Sequence, residues 1–142
     1  MTNSYKEFHQ KYNISKLKIF ENNNWIVSLR PEQKTPFSLL LTIKSDKNKL
    51  RSLNKPEMID LIDSYDFIEN FAYDKLGAIK VNYLCLMMLD SIVHYHVFPR
   101  FSKELIIEND VLIDEYFPKP VDLTDGFSLD DVDLFLKFFN KI

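Results

Sequence analysis

From Ile92 to Arg100 the chain reads IVHYHVFPR, a stretch that contains two of its three histidines. Apolar residues alternate with the histidines, which predicts a β-strand on which every second side chain shares a face. His94 and His96 therefore lie side by side, with Cα atoms about 6.5–7 Å apart. At that distance one imidazole can attack a phosphorus atom while its neighbour hydrogen-bonds an oxygen of the same group. Imidazole suits this chemistry because it is partly neutral near pH 7.

The sequence allows three interpretations of the histidine pair. Two polar residues on a solvated strand face would account for an arbitrary H-x-H pattern. A zinc or copper site needs additional ligands, and the other candidates are only His9 and the single cysteine, Cys85. Phosphoryl chemistry is favoured by the flanking residues, because Arg100 can supply positive charge for a phosphate.

The composition excludes several classes of protein. The chain has 142 residues, 46% of them hydrophobic, which predicts one soluble domain spanning residues 1–142. Only two glycines occur, so no glycine-rich phosphate loop is possible. A single cysteine excludes an intramolecular disulfide and a cysteine-cluster zinc site. The net charge of −3 gives no general attraction for nucleic acid, so we expect none as a partner.

The hydropathy pattern predicts no interaction with a membrane. The longest apolar run, Leu84 to Leu89, is far too short to span a bilayer. Residues 1–20 are polar and contain four lysines, without the continuous apolar segment of a secretory signal. We therefore expect a cytoplasmic protein, and a lone reduced thiol agrees with that compartment.

Apolar patterning predicts about five strands. The run Ser38–Lys44 is apolar on both faces, which is typical of a strand near the middle of a sheet. The last two strands, Ile79–Leu89 and Ile92–Phe98, are separated only by Asp90-Ser91, so they form an antiparallel hairpin that ends at Pro99. Two earlier strands are predicted at Lys16–Phe20 and Trp25–Arg30.

The clearest helix begins after Asn54. Asn54 is a favourable N-cap, Glu57 has capping-box spacing, and Pro56 fits the first turn. Gly77 is the predicted end of this helix. Its buried stripe is predicted to comprise Met58, Leu61, Ile62, Tyr65, Ile68 and Ala72.

A second amphipathic helix is predicted at the end of the chain, after an irregular segment at residues 103–127. Ser128 with Asp131 has capping-box spacing. The helix is predicted to bury Leu129, Val132, Phe135, Leu136 and Phe139. The sum is an α+β fold: an antiparallel sheet of about five strands with a main helix packed on it and a C-terminal helical extension.

The string VHYHVFPR resembles the signature of the histidine triad (HIT) family, His-φ-His-φ-His-φ-φ, where φ is apolar. The preceding residues, Val81 to Asp90, are similar to the strand that leads into the triad in bacterial diadenosine polyphosphate hydrolase-like members. Trp25 to Thr35 resembles those proteins too. The resemblance covers roughly residues 16–102, a HIT core, and leaves residues 1–15 as an N-terminal arm or helix and 103–142 as a C-terminal extension.

The resemblance implies a nucleotidyl hydrolase or transferase that acts on dinucleoside polyphosphates or related nucleotides. His94 matches the middle histidine, which attacks the α-phosphorus and forms a nucleotidyl-histidine. His96 matches the third, which contacts the scissile phosphate and the leaving-group oxygens. The backbone carbonyl at the first position, Ile92, would receive the other ring N–H of His94. This chemistry needs no metal ion or other cofactor, and the family is commonly homodimeric.

Two departures from the family pattern give an alternative. Ile92 stands where the first triad histidine is expected, and Pro36-Phe37-Ser38 stands where a glycine is expected. These changes predict a degenerate member that binds nucleotide without efficient catalysis. Asn82, Ser91, Arg100 and Gln33 are the supporting candidates for substrate binding. Ordinary strand and turn polarity also explains Asn82 and Ser91. A third hypothesis is an interaction protein whose acidic, aromatic tail, residues 103–142, binds a partner.

Overall fold

The structure is a computed structural model that describes residues 2–129 and 132–142. Its α-helices are α1 (Asn3–Lys11), α2 (Ile14–Leu17), α3 (Lys55–Glu69) and α4 (Val132–Lys141), with a 3-10 turn at Leu50–Ser52 and a π-helical segment at Asn70–Lys75. The strands are β1 (Lys18–Glu21), β2 (Trp25–Leu29), β3 (Leu39–Ile43), β4 (Lys80–Leu84), β5 (His94–Arg100), β6 (Leu105–Ile107) and β7 (Asp110–Leu112). The predicted α+β class is confirmed.

Five strands form one antiparallel sheet in the order β1-β2-β3-β5-β4. All five residues of β3 are buried, and β3 is the central strand. The continuous apolar run that predicted this position is therefore explained, because a central strand covered on both faces has no solvated side. In the register, Thr42 lies opposite His94 and Leu40 lies opposite His96.

Helix α3 covers the face of the sheet that carries Trp25 and Tyr95. The indole N–H of Trp25 donates to the carbonyl oxygen of Glu57 at 2.8 Å, and the rings of Tyr65 and Tyr95 lie 6.5 Å apart. Since side chains alternate along a strand, His94 and His96 project from the opposite face. The main helix thus supports the histidine strand from behind.

The predicted capping box of α3 is confirmed, but its predicted buried stripe is partly wrong. Met58 and Ile62 are 44% and 63% exposed, whereas Leu61 and Ile68 are buried together with two polar residues, Glu57 and Ser64. The reason lies in hydrogen bonding. The Glu57 carboxylate accepts from Asn54 and Lys47, and Asn22 donates to the Ser64 hydroxyl. These bonds turn the helix so that polar positions face inward.

The predicted two-residue hairpin turn is wrong. Strands β4 and β5 are antiparallel neighbours, but a loop of residues 85–93 separates them. Met87 adopts a left-handed conformation with φ 52°. The Asp90 carboxylate accepts hydrogen bonds from Lys11 and Tyr12, which ties the loop to the N-terminal helix. Strand β5 also continues through Pro99, where β3 has already ended and only β4 is paired.

Three other boundaries differ from prediction. Ile14–Leu17 is helical, so β1 begins at Lys18 and not at Lys16. The segment predicted to be irregular contains a small hairpin of β6 and β7. Helix α4 begins at Val132, and Asp131 of its predicted cap lies outside the described residues. Of its predicted buried residues, Phe135 is fully buried and the others are partly buried.

The position where a glycine was expected has a backbone that favours glycine. Phe37 adopts φ 61°, in the left-handed region. Its ring is fully buried and lies 4.8 Å from the ring of Phe135 and 5.3 Å from that of Phe71. Aromatic packing therefore offsets the cost of the left-handed backbone here. Among the described residues, no helix is long and apolar enough to cross a membrane.

The corrected stripe of α3 gives a direct test of stability. We expect Leu61→Ala to lower the free energy of unfolding by about 2–5 kcal/mol, because it leaves a cavity beneath the helix. Ile62→Ala, one position along and mostly exposed, should change it by less than about 0.5 kcal/mol. Urea unfolding of the two variants measures the difference. Equal losses would contradict the observed orientation of α3.

Candidate functional site

The two histidines of β5 lie at the floor of a cleft of about 330 Å³, called here the histidine cleft. Its walls come from Tyr12, which follows α1, from Arg30, which follows β2, and from the 85–93 loop and the C-terminal segment. The lining residues are Tyr12, Arg30, Leu86, Met87, Met88, Leu89, Asp90, His94, His96, Leu123 and Thr124. Most of this surface is apolar, and the polar groups converge at the histidines, an arrangement typical of small-molecule sites.

The ring of His94 has a defined tautomer. Its Nδ1 lies 2.6 Å from the carbonyl oxygen of Ile92. A carbonyl can only accept, so Nδ1 carries the proton and Nε2 keeps its lone pair. Nε2 has no hydrogen-bond partner among the described residues. Burial lowers the pKa of His94, which keeps this nitrogen unprotonated near neutral pH.

His96 has the opposite tautomer. The Nε of Arg30 donates to Nδ1 of His96 at 3.3 Å. Because a guanidinium can only donate, the proton of the neutral His96 ring is on Nε2. Burial, together with the positive charge of Arg30, lowers the pKa of His96 to about 3. The two rings lie 5.1 Å apart at 78°, so a lone pair and an N–H donor are adjacent in one cleft.

Arg30 directly follows β2 and is held by the loop that begins there. Its backbone N–H donates to the Ser38 carbonyl at 2.8 Å, and its Nη1 donates to the Glu32 carbonyl at 2.7 Å. The guanidinium lies over the ring of Phe98, 5.8 Å from its centroid. Burial lowers its pKa, but an arginine stays charged at any physiological pH.

The N-terminal helix forms part of the wall. The ring of Phe8 lies 4.9 Å from that of His94. Asp90 accepts from Lys11 at 2.8 Å and from Tyr12 at 3.1 Å. Although burial raises the pKa of Asp90, these two hydrogen bonds lower it below its ordinary value. The carboxylate is therefore ionised and already paired with the end of α1.

Two of the predicted substrate-binding residues, Asn82 and Arg100, lie together but away from the histidines. Arg100 donates to Asp114 at 2.7 Å and to Asn82 at 2.9 Å. Its remaining nitrogen donates to the Lys119 carbonyl at 2.6 Å. These side chains line a separate cavity with Pro118. Arg100 thus has a buried carboxylate partner and anchors the C-terminal segment to the sheet.

The other two candidates are also outside the histidine cleft. Ser91 is exposed and lines a neighbouring cavity of about 260 Å³ beside α1. Gln33 is fully buried. Its amide donates to the carbonyls of Arg30 and Ser38 and accepts from the Ser38 N–H. Gln33 therefore closes the loop that positions Arg30 and does not face the cleft.

The residues that sequence reasoning missed are Arg30, Tyr12 and Asp90. Arg30 had a usable signal, because the strand alternation puts it on the same face as Ile26 and Ser28, opposite Trp25. Because that face of β2 continues into the face that carries the histidines, Arg30 is expected near them. Tyr12 and Asp90 had no such signal in the sequence, since the hydrogen bond between them depends on how α1 packs across the sheet. Within residues 2–129 and 132–142, no group of three or more metal-ligating side chains is present.

Solved structures of other proteins have the same architecture. A histidine triad (HIT) protein from Sinorhizobium meliloti matches with a TM-score of 0.68 at 17% identity, over 91% of this chain and 90% of that chain. One from Bradyrhizobium japonicum matches with a TM-score of 0.66 at 15% identity, over 90% of each chain. The fold is that of the histidine triad proteins.

A third structure shares the histidine triad fold. It is described as a hypothetical histidine triad nucleotide-binding protein from Sulfolobus tokodaii, and it matches with a TM-score of 0.61 at 10% identity, over 87% of this chain and 78% of that chain. No protein-family model and no curated protein sequence matches the chain. At these identities the likeness establishes the fold.

The lowered pKa of His96 predicts a stability that depends on pH. In the unfolded chain its pKa is about 6.5, and in the folded protein it is about 3. Between those values the unfolded state binds more protons, so stability falls as the pH decreases. His96 alone should account for about 2 kcal/mol between pH 7 and pH 5.

His96→Asn keeps an acceptor for Arg30 and cannot titrate in this range. We expect urea unfolding at the two pH values to show a smaller loss for this variant than for the wild type. Equal losses would contradict a buried, neutral His96.

Proposed function

We propose that the protein is a nucleotidyl hydrolase or transferase that uses His94 as its nucleophile. The observation that carries the proposal is the hydrogen bond from Nδ1 of His94 to the Ile92 carbonyl. It leaves the Nε2 lone pair available in the cleft, which is the requirement for attack on phosphorus. The Nε2–H of His96 stands beside it as a donor for a phosphoryl or leaving-group oxygen.

The proposed reaction has two steps. Nε2 of His94 attacks the α-phosphorus of a dinucleoside polyphosphate or related nucleotide, and a P–N bond forms as the P–O bond to the leaving group breaks. The leaving group departs as an anion with that electron pair. Water then attacks the phosphorus, the P–N electron pair returns to Nε2, and a proton is released to solvent. The products are a nucleoside monophosphate and the leaving nucleotide, and neither step requires a metal ion.

The shape and chemistry of the cleft support a nucleotide as the ligand. Its volume of about 330 Å³ is within the range of small-molecule sites. The same cleft is lined by apolar side chains that suit a base, among them Leu86, Met87 and Leu123, and by the imidazoles that suit a phosphate. The nucleotide-binding description of the Sulfolobus tokodaii protein agrees with this choice. A homodimer and a cytoplasmic location stay predictions.

The alternative is a protein that binds nucleotide without efficient turnover. Ile92 is the observation that favours it. The residue is 2% exposed and apolar, so the first triad position contributes a carbonyl and no side-chain donor. The hydrogen bond that orients His94 is kept, because it uses the backbone carbonyl of Ile92. Any contribution of a third imidazole to the transition state is lost.

A hydrolysis assay tests the proposal. Wild-type protein is incubated with diadenosine tri- and tetraphosphate and adenosine 5′-phosphoramidate, and AMP is measured by chromatography. We expect His94→Ala to reduce AMP release to the background rate. His96→Asn should reduce it by about 10²- to 10³-fold, because the shorter amide places no donor at the position of Nε2. His9→Ala, in α1 and outside the residues that line the histidine cleft, is the matched control and should retain wild-type activity.

Turnover by His94→Ala at the wild-type rate would exclude His94 as the nucleophile. Calorimetry with AMP separates the two functions if no substrate is cleaved. AMP binding without product would favour the degenerate protein, and the absence of both would contradict the nucleotide site.

A further inference from the structure

The guanidinium of Arg30 is a buried charge without a carboxylate partner in the part of the chain that the structure describes. Arg30 is 8% exposed. The neighbouring carboxylate, that of Glu32, is bound instead by Lys34 at 2.8 Å. Within the described residues, Nη2 of Arg30 has no hydrogen-bond partner. By contrast, the buried Arg100 is bound to Asp114 through two nitrogens.

A buried cation without a counter-ion is costly, and in proteins such charges are paired or hold a ligand. Arg30 is also the only lysine or arginine among the described residues that line the histidine cleft. Asp90, the acid of that lining, is already paired with Lys11. The positive charge is therefore available to an anion that enters the cleft.

The guanidinium is held in place before any ligand arrives. Its Nη1 bond to the Glu32 carbonyl and its contact with the Phe98 ring fix the plane. Its Nε bond to His96 fixes the edge that faces the imidazole. The remaining edge, at Nη2, is the part that a phosphate oxygen can meet. A fixed fork loses less conformational entropy on binding than a free side chain does.

We propose that Arg30 is both the phosphate anchor of the cleft and the positioning residue of His96. It holds His96 as the Nε2–H tautomer through Nε and binds a phosphate oxygen of the nucleotide through Nη2. This inference rests on the proposed function for the identity of the ligand. It also explains how a site with Ile92 at the first triad position retains a positive charge beside the reacting phosphate.

Calorimetry with AMP and with adenosine tests the anchor. In Arg30→Met, which fills a similar volume without charge, we expect AMP affinity to fall by about 10- to 100-fold, the range of a charge-assisted hydrogen bond. Adenosine affinity should stay unchanged, because the apolar wall is intact. Arg51→Met, on the exposed 3-10 turn, is the matched control and should bind both ligands as the wild type does.

An equal loss for AMP and adenosine would overturn the anchor, since it would indicate collapse of the cleft. Unchanged AMP affinity would overturn it as well. Arg30→Lys covers the case in which Arg30→Met does not fold. It retains a cation but offers one nitrogen, so it should recover AMP affinity only in part, and full recovery would contradict the fork geometry.

Nitrogen-15 NMR of the imidazoles tests the positioning role without any ligand or activity. At pH 7 the wild-type His96 should show a protonated Nε2 and an unprotonated Nδ1. In Arg30→Met the two tautomers should become mixed, while His94 keeps its proton on Nδ1. A His96 tautomer that does not respond to Arg30→Met or Arg30→Lys would overturn the positioning role. If the wild type binds no AMP, the proposed function and the anchor fail, and the NMR result still decides the positioning role.

Discussion

The hydrogen bond between Nδ1 of His94 and the carbonyl of Ile92 determines what the cleft can do. It joins a ring to the backbone two residues earlier, at the point where the 85–93 loop enters β5. A carbonyl survives any substitution of its own side chain, so the bond is present although residue 92 is isoleucine. Strand β3 holds this short segment, because Thr42 lies opposite His94 and the Ile43 N–H donates to the Val93 carbonyl at 3.2 Å, and α3 supports the sheet from the opposite face.

The two histidines have different hydrogen-bond partners, and the resulting difference in tautomer gives them different chemistry. His94 meets an acceptor and keeps a free lone pair, whereas His96 meets a donor and keeps a free N–H. Burial lowers both pKa values and so favours neutral rings. The donor to His96 comes from β2, through Arg30 and the loop that Gln33 closes. The free lone pair of His94 and the free N–H of His96 are therefore set by two separate parts of the fold.

Much of the fold was predictable, because it depends on local patterns. The central strand followed from a continuous apolar run, the start of α3 from its capping residues, and the histidine face from strand alternation. The errors occurred where distant groups decide the outcome. The Asp90 carboxylate accepts a hydrogen bond from Lys11, which is 79 residues away in the sequence. The segment that contains Asp90 is therefore a loop and not the predicted tight turn. Gln33 and Arg100 stay predictions as binding residues, and their donors bond to other groups of the fold. Arg30 reached the site through cross-strand packing.

If His94 is the nucleophile, it carries the nucleotidyl group during turnover, and peptide mapping after rapid quenching detects that intermediate. The protein is mixed with diadenosine tetraphosphate, quenched within the first turnover under conditions that preserve phosphoramidates, digested and analysed by mass spectrometry. We expect an adenylyl group on the peptide that contains His94 and none in His94→Ala. AMP accumulation with the adenylyl group on another residue would contradict it.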